Sequence, residues 1–322
     1  MQSIIDLATA NLLAPTVLFF VLGLVASLAR SDLTVPEAVA KGLALYLMLA
    51  IGFKGGAAVA GNGVDLTMVF AFVAGVLLSG LIPMIAFQLL RWTTGLPRVD
   101  AAAVAAHYGS ISIVTFLAAS QALQWRGLEA EGYMVAVAAA METPAIIAAL
   151  ALSSAGSGRR FDGRTFGEVL LNGSIVVLVG AFAIGLITGA EGLETIAPFI
   201  VDPFTGVLCL FLLDMGLIAG RGLREGARFL TLPLVLFGLY MPLIGGLLGA
   251  AAAMVVGLSV GGTALMITLG ASASYIAVPA ALRLALPDAR PAIYLTLSLG
   301  ITFPFNLTVG IPLYLSLATM LH

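Results

Sequence analysis

Hydrophobic positions along the chain gather into long runs separated by short polar segments. Runs long enough to cross a bilayer lie at about 11–29, 35–57, 66–90, 101–122 and 132–153. A second set lies at about 168–189, 203–220, 230–257, 262–284 and 292–320. They predict ten transmembrane helices, divided five and five by the segment SAGSGRRFDGRTFG at 154–167. The expected organisation is a first five-span unit over 1–153, a linker over 154–167 and a second five-span unit over 168–322. The first run lacks a basic stretch before it and a cleavage site after it, so it reads as a span and not as a signal peptide.

Composition strengthens the pattern. Of 322 residues, 61% are hydrophobic and 9% charged. A soluble domain carries roughly 25% charge, and a chain of this size could not hide so much apolar surface. This argues against a soluble enzyme, and an all-α polytopic membrane protein is expected. The net charge of -2 offers no basic face for nucleic acid. The single Cys209 excludes an internal disulfide and a cysteine metal cluster.

Charge placement predicts orientation. With the N-terminus outside, the inside ends and loops hold Arg30, Arg91, Arg98, Arg159, Arg160, Arg164, Arg221, Arg224, Arg228, Arg283 and Arg290. The outside loops hold Arg126 alone, while Lys41 and Lys54 lie in the second span region. The positive-inside rule then places both termini outside and the 154–167 loop in the cytoplasm.

The two halves resemble each other. FVLGLVA (20–26) matches FAIGLIT (182–188) at an offset of 162, and Gly42, Gly52 and Gly56 match Gly206, Gly216 and Gly220 at 164. Ser110-Ile111-Ser112 matches Ser272-Ala273-Ser274 at 162, and Pro144 matches Pro304 at 160. Five spans per half put the second half in the opposite orientation. The expectation is a 5+5 inverted repeat, the architecture of secondary transporters.

Polar groups fall at equivalent places. HYGSISIVTF (107–116) brings Gly109, Ser110, Ser112 and Thr115 into the fourth span; GASASYIAVPAALR (270–283) brings Ser272, Ser274, Tyr275 and Pro279 into the ninth. Small residues with Gly and Pro favour broken helices, and irregular backbone at membrane depth must be buried or line a cavity. Two breaks meeting near the midplane offer helix termini to an anion, and carbonyls and hydroxyls to a cation. The same residues also make helix-packing seams; their pairing across the halves favours a binding site. The glycine pairs Gly185/Gly189, Gly216/Gly220, Gly245/Gly249 and Gly257/Gly261 have the spacing of close helix contacts.

Ionisable groups inside spans are costly and are functional candidates. Glu142 precedes Thr143-Pro144, where a freed carbonyl beside a carboxylate suits a hard cation such as Na+. Asp214 and Lys54 can form a structural ion pair if their helices meet. His107 can carry a proton, although a lone histidine near a span end is more often structural. Thr302 and Asn306 flank Pro304 as the second half's counterpart to the Glu142 region. No phosphate-binding glycine loop, metal-ligand spacing or nucleophile–base pair is visible, so neither an enzyme nor an organic cofactor is expected.

The stretches VPEAVAKGLALYLMLAIGFKGG (35–56), HYGSISIVTF (107–116), METPAII (141–147), GASASYIAVPAALRLALPDARPAIYLTLSLG (270–300) and TFPFNLTVGIPLY (302–314) resemble the sodium-dependent bicarbonate transporter superfamily. The resemblance implies a homotrimer in a bacterial inner membrane, moving a core elevator-like against a scaffold. It implies bicarbonate at Gly109, Ser110, Ile111, Ser112, Ser272, Ala273 and Ser274. It implies Na+ as coupling ion beside it, at Thr115, Glu142 and Tyr275, to which the residues around Pro144 and Pro304 add Thr143, Thr302 and Asn306 as candidates. Some members answer to a small PII-like cytoplasmic protein. Departures from the cyanobacterial members are Tyr275 for Asp, Ile113-Val114 for Gly-Ser, Glu142 for Asp, the charges Lys54 and Asp214, and a short linker. They suggest a sister branch. The function expected is Na+-coupled symport of a small anion, with bicarbonate first. Alternatives are H+-coupled transport of another carboxylate through Glu142 or His107, and a non-transporting sensor recruiting a partner through Arg159, Arg160 and Arg164.

Overall fold

A computed structural model describes residues 12–62, 65–154, 173–275, 278, 282, 286 and 288–322. Most of the 154–167 linker, with Arg159, Arg160 and Arg164, lies outside the described residues. So do Arg283 and Pro279 in the far part of the ninth run.

The described residues form helices and no strands. In order they are α1 (Pro15–Leu28), α2 (Glu37–Asn62), α3 (Leu66–Thr93), α4 (Arg98–Gly109), α5 (Ile113–Trp125), α6 (Met134–Ala140) and α7 (Glu142–Ser154). After the linker come α8 (Gly173–Ile200), α9 (Phe204–Gly226), α10 (Leu232–Val256), α11 (Val260–Ala271) and α12 (Pro291–Leu321). Among the described residues, seven stretches are long and apolar enough to cross a membrane: α2, α3, the α4–α5 pair, α8, α9, α10 and α12. Shorter apolar helices are α1, α6–α7 and α11. Each predicted run falls on one of these. α8 is longer than its run. It bends at Gly189, whose φ of 61° and ψ of -149° suit a residue without Cβ, and continues to Ile200.

Local chemistry sets the helix ends. Asp65 caps α3 by accepting from the Met68 N–H at 2.8 Å. α1, α10 and α12 each carry a proline in the first turn, where the missing N–H has no helical partner to lose.

α1 lies along α9 and α2 along α8, with α2 also touching α9. Glycines permit this approach: a methyl at Gly216 would overlap the Phe20 carbonyl, and one at Gly56 that of Phe182. Two of the glycines expected at contacts serve otherwise. Gly257 ends α10 at φ 79° and Gly189 makes the α8 bend; both are chosen for backbone conformation.

A second group surrounds the broken helices. α3 packs on α4, α7 and α10, α10 packs on α11, and α5 and α12 also reach α11. Outward faces are apolar, with Leu66 and Leu77 of α3 exposed 73% and 66%. Inside, every residue of 100–119 and of 261–275 is buried. Apolar outside and polar-bearing inside is the arrangement of a helix bundle in lipid.

Candidate functional site

The fourth and ninth runs both break, and the breaks meet. Ser110 ends α4 in extended conformation and Ser112 caps α5, its hydroxyl accepting from the Thr115 N–H at 3.2 Å. Ser272 ends α11, also extended. The Ser112 N–H donates to Ser272 Oγ at 3.0 Å. In return the Ser274 N–H donates to the carbonyls of His107 (2.7 Å) and Ser110 (3.2 Å). His107 Nδ1 closes the junction on the Ser274 carbonyl. Backbone groups freed by breaking two helices thus satisfy one another across the crossing.

Gly109 fits because α3 comes close: a Cβ there would run into the Pro83 ring and lie 2.8 Å from the Ser79 carbonyl. The same turn of α3 reaches Glu142. The Ser79 hydroxyl donates to the Met141 carbonyl and accepts from the Ala145 N–H at 3.1 Å. It is inserted into the helical rung between those two groups, which opens the α6–α7 kink immediately before Pro144. Ser79 and Pro83 therefore hold both the fourth-span break and the Glu142 kink. Sequence reasoning missed them; the signal was a serine and a proline four residues apart in an otherwise apolar run.

Second-half polar residues carry a matching network. Asn306 donates to the Ala271 carbonyl at 2.8 Å and accepts from Tyr314 Oη at 2.7 Å. Thr302 donates to the Gly238 carbonyl at 2.8 Å and meets Tyr108 Oη at 2.6 Å. Around Pro304, α12 widens into π turns at Ser298–Thr302 and Asn306–Gly310. Asn306 and Thr302 thus hold the α11 end and α10.

Unpaired polar atoms mark the crossing. His107 Nε2, Ser110 Oγ, Thr115 Oγ1 and Tyr275 Oη are buried without a hydrogen-bond partner, as is Glu142 Oε2. Tyr275 is edge-on to Phe303, with ring centroids 5.3 Å apart, and its hydroxyl faces Ser112 without making a bond of acceptable geometry. Ile111 and Ala273 are buried within the breaks. Thr143 lies in the first turn of α7. Buried polar groups are normally satisfied, so four orphans on one junction ask for a ligand.

The expected ion pair between Lys54 and Asp214 is not formed. Among the described residues the salt bridges are Lys41–Glu37 and Arg290–Asp100. Lys54 Nζ lies over the Phe204 ring, 5.4 Å from its centroid. Asp214 is ten residues further along α9, about 15 Å along a helix axis. Lys54 instead lines a cleft of about 440 Å³ with Phe116, Gln121, Phe204, Glu129 and Glu131. Asp214 is buried in α9 with Oδ2 unpaired.

Two further ties were not anticipated. Asp100, in the first turn of α4, accepts from the Arg290 N–H (2.8 Å), Nε (2.9 Å) and a terminal guanidinium nitrogen (2.7 Å). Glu131, before α6, accepts from the Ser259 N–H (2.7 Å) and Oγ (3.0 Å) at the start of α11. Each broken helix is thus anchored at its start by a loop of the other half.

The family model of the Na+-dependent bicarbonate transporter superfamily matches residues 15–319 of 322. The chain belongs to this superfamily. No curated protein matches it. Family and apolar helices together define an integral membrane protein of a transporter class.

Proposed function

We propose that the protein is a Na+-coupled symporter of a small anion, with bicarbonate the leading substrate, built as ten spans in a 5+5 inverted repeat. The observation that carries this is the crossing of the two breaks with its unpaired Ser110, Thr115, His107 and Tyr275 atoms. The anion sits at the crossing formed by Ser110, Ser112, Ser272 and Ser274, where the unpaired Ser110 hydroxyl is free to donate to it. Na+ takes oxygen donors from Thr115, Tyr275 and Glu142, a hard-ligand set suited to a hard cation. Organic cofactors have no part in this reading.

The repeat is supported by contacts that exchange under the 162-residue offset. Ser112 to Ser272 becomes Ser274 to Ser110. The α1–α9 pairing becomes α8–α2. On this reading α1, α2, α8 and α9 form the scaffold and the remaining helices form a core that moves elevator-like. Arginine placement favours both termini outside, and family resemblance favours a bacterial inner membrane. Assembly as a homotrimer and control by a PII-like cytoplasmic partner follow family resemblance.

The decisive variant is Glu142→Gln, which removes the carboxylate and keeps the shape. In proteoliposomes it loses Na+ dependence of bicarbonate uptake. Retained Na+ dependence removes Glu142 from the cation site. A second reading, H+ coupling, is favoured by the unpaired atoms of His107 and Glu142. It requires uptake to follow a pH gradient with Na+ absent.

A further inference from the structure

His107 is only half satisfied. Its Nδ1 meets the Ser274 carbonyl. A carbonyl oxygen accepts and never donates, so Nδ1 carries the hydrogen and the neutral ring presents a lone pair at Nε2. That nitrogen is fully buried and has no hydrogen-bond partner. The ring is held by stacking on Tyr294, with centroids 4.7 Å apart and 27° between planes, and a ring flip would give up the Ser274 bond.

Of the other orphans at the crossing, Thr115 Oγ1 and Tyr275 Oη belong to the proposed cation site, and Ser110 Oγ is left to the anion as a hydroxyl that can donate. His107 Nε2 in this tautomer only accepts. An anion that satisfies both Ser110 Oγ and His107 Nε2 must accept a hydrogen bond and donate one. Nitrate and chloride have no donor. An oxyanion that keeps one of its own protons has one.

We propose that His107 is a specificity-determining residue whose Nε2 accepts a hydrogen bond from the anion's own O–H. The crossing thereby selects a hydrogen-bearing oxyanion over an aprotic one of like size and charge. A site built to bond a ligand hydroxyl discriminates strongly against the analogue lacking it, because its own buried group is left unpaired. The inference rests on the crossing being the anion site.

The test is calorimetric titration of the full-length protein with sodium bicarbonate and with sodium nitrate, at fixed Na+. The wild type is expected to prefer bicarbonate by about 100-fold or more. His107→Asn keeps a donor near the Nδ1 position and deletes Nε2; its preference is expected to fall below about ten-fold. The wild type alone supplies a second measurement, proton uptake from titrations in buffers of different ionisation enthalpy, with none expected on bicarbonate binding. Uptake of one proton would mean that Nε2 donates from a charged ring, and would overturn the proposal. So would equal affinity for the two anions in the wild type, or an unchanged preference in a folded His107→Asn variant. Binding of neither anion would remove the anion-site reading itself, and the proposal with it.

Discussion

The backbone N–H of Ser112 is satisfied by the side chain of Ser272, 160 residues away and 3.0 Å distant. Its counterpart across the halves, Ser274 N–H to the Ser110 carbonyl, runs the other way at 3.2 Å. The two breaks are thus interdependent. Neither extended segment can be stable in lipid without the other, because a bare backbone group there has no water to turn to.

Ser272→Ala deletes the acceptor for Ser112. The expected cost is about 1–3 kcal/mol of unfolding free energy, the penalty of a buried unsatisfied donor. Thermal or denaturant unfolding in detergent measures it. An unchanged stability would mean that the N–H finds another partner.

Gly109→Ala forces a methyl against the Pro83 ring and the Ser79 carbonyl. Overpacking of this kind costs about 1–3 kcal/mol. The double variant with Pro83→Ala recovers part of the loss, since the carbonyl contact remains. Melting temperatures of the two variants decide it, and identical values would exclude the Pro83 contact as the cause.

Arg290→Ala strips the two guanidinium donors from Asp100 and leaves the backbone N–H of residue 290; the Asp100 side chain is 5% exposed while that of Arg290 is 47% exposed. Because the guanidinium is half in solvent, the expected loss is about 1.5–3 kcal/mol rather than that of a fully buried pair. Asp100→Asn and Arg290→Ala should be non-additive in a double-mutant cycle. Additive losses would show that the two residues act separately.

Lys54→Met and Asp214→Asn are expected to be independent. Their coupling energy should lie within about 0.5 kcal/mol, because Lys54 rests on Phe204 and no ion pair joins the two. A larger coupling in the same unfolding cycle would restore the pair that the sequence suggested.

Much of this was legible in the residues. Ten apolar runs, the Ser110–Ser112 and Ser272–Ser274 breaks and the Pro144 and Pro304 irregularities each have a local chemical signature. The partners were not legible. Ser79 reaches Met141 and Ala145 across 62 and 66 residues, and Arg290 reaches Asp100 across 190. Nothing in local propensity encodes those meetings. The Lys54–Asp214 expectation failed for the same reason: two opposite charges in apolar runs say that each needs an environment, not that they share one. For Glu142, the sequence located the proline kink, and the structure added the serine that opens it.

Coupled transport through this crossing is measured by uptake of labelled bicarbonate into proteoliposomes holding the purified protein, with an inward Na+ gradient and with Na+ replaced by K+. Accumulation is expected to require the Na+ gradient and to disappear in protein-free vesicles. Equal uptake in K+ would rule out Na+ coupling.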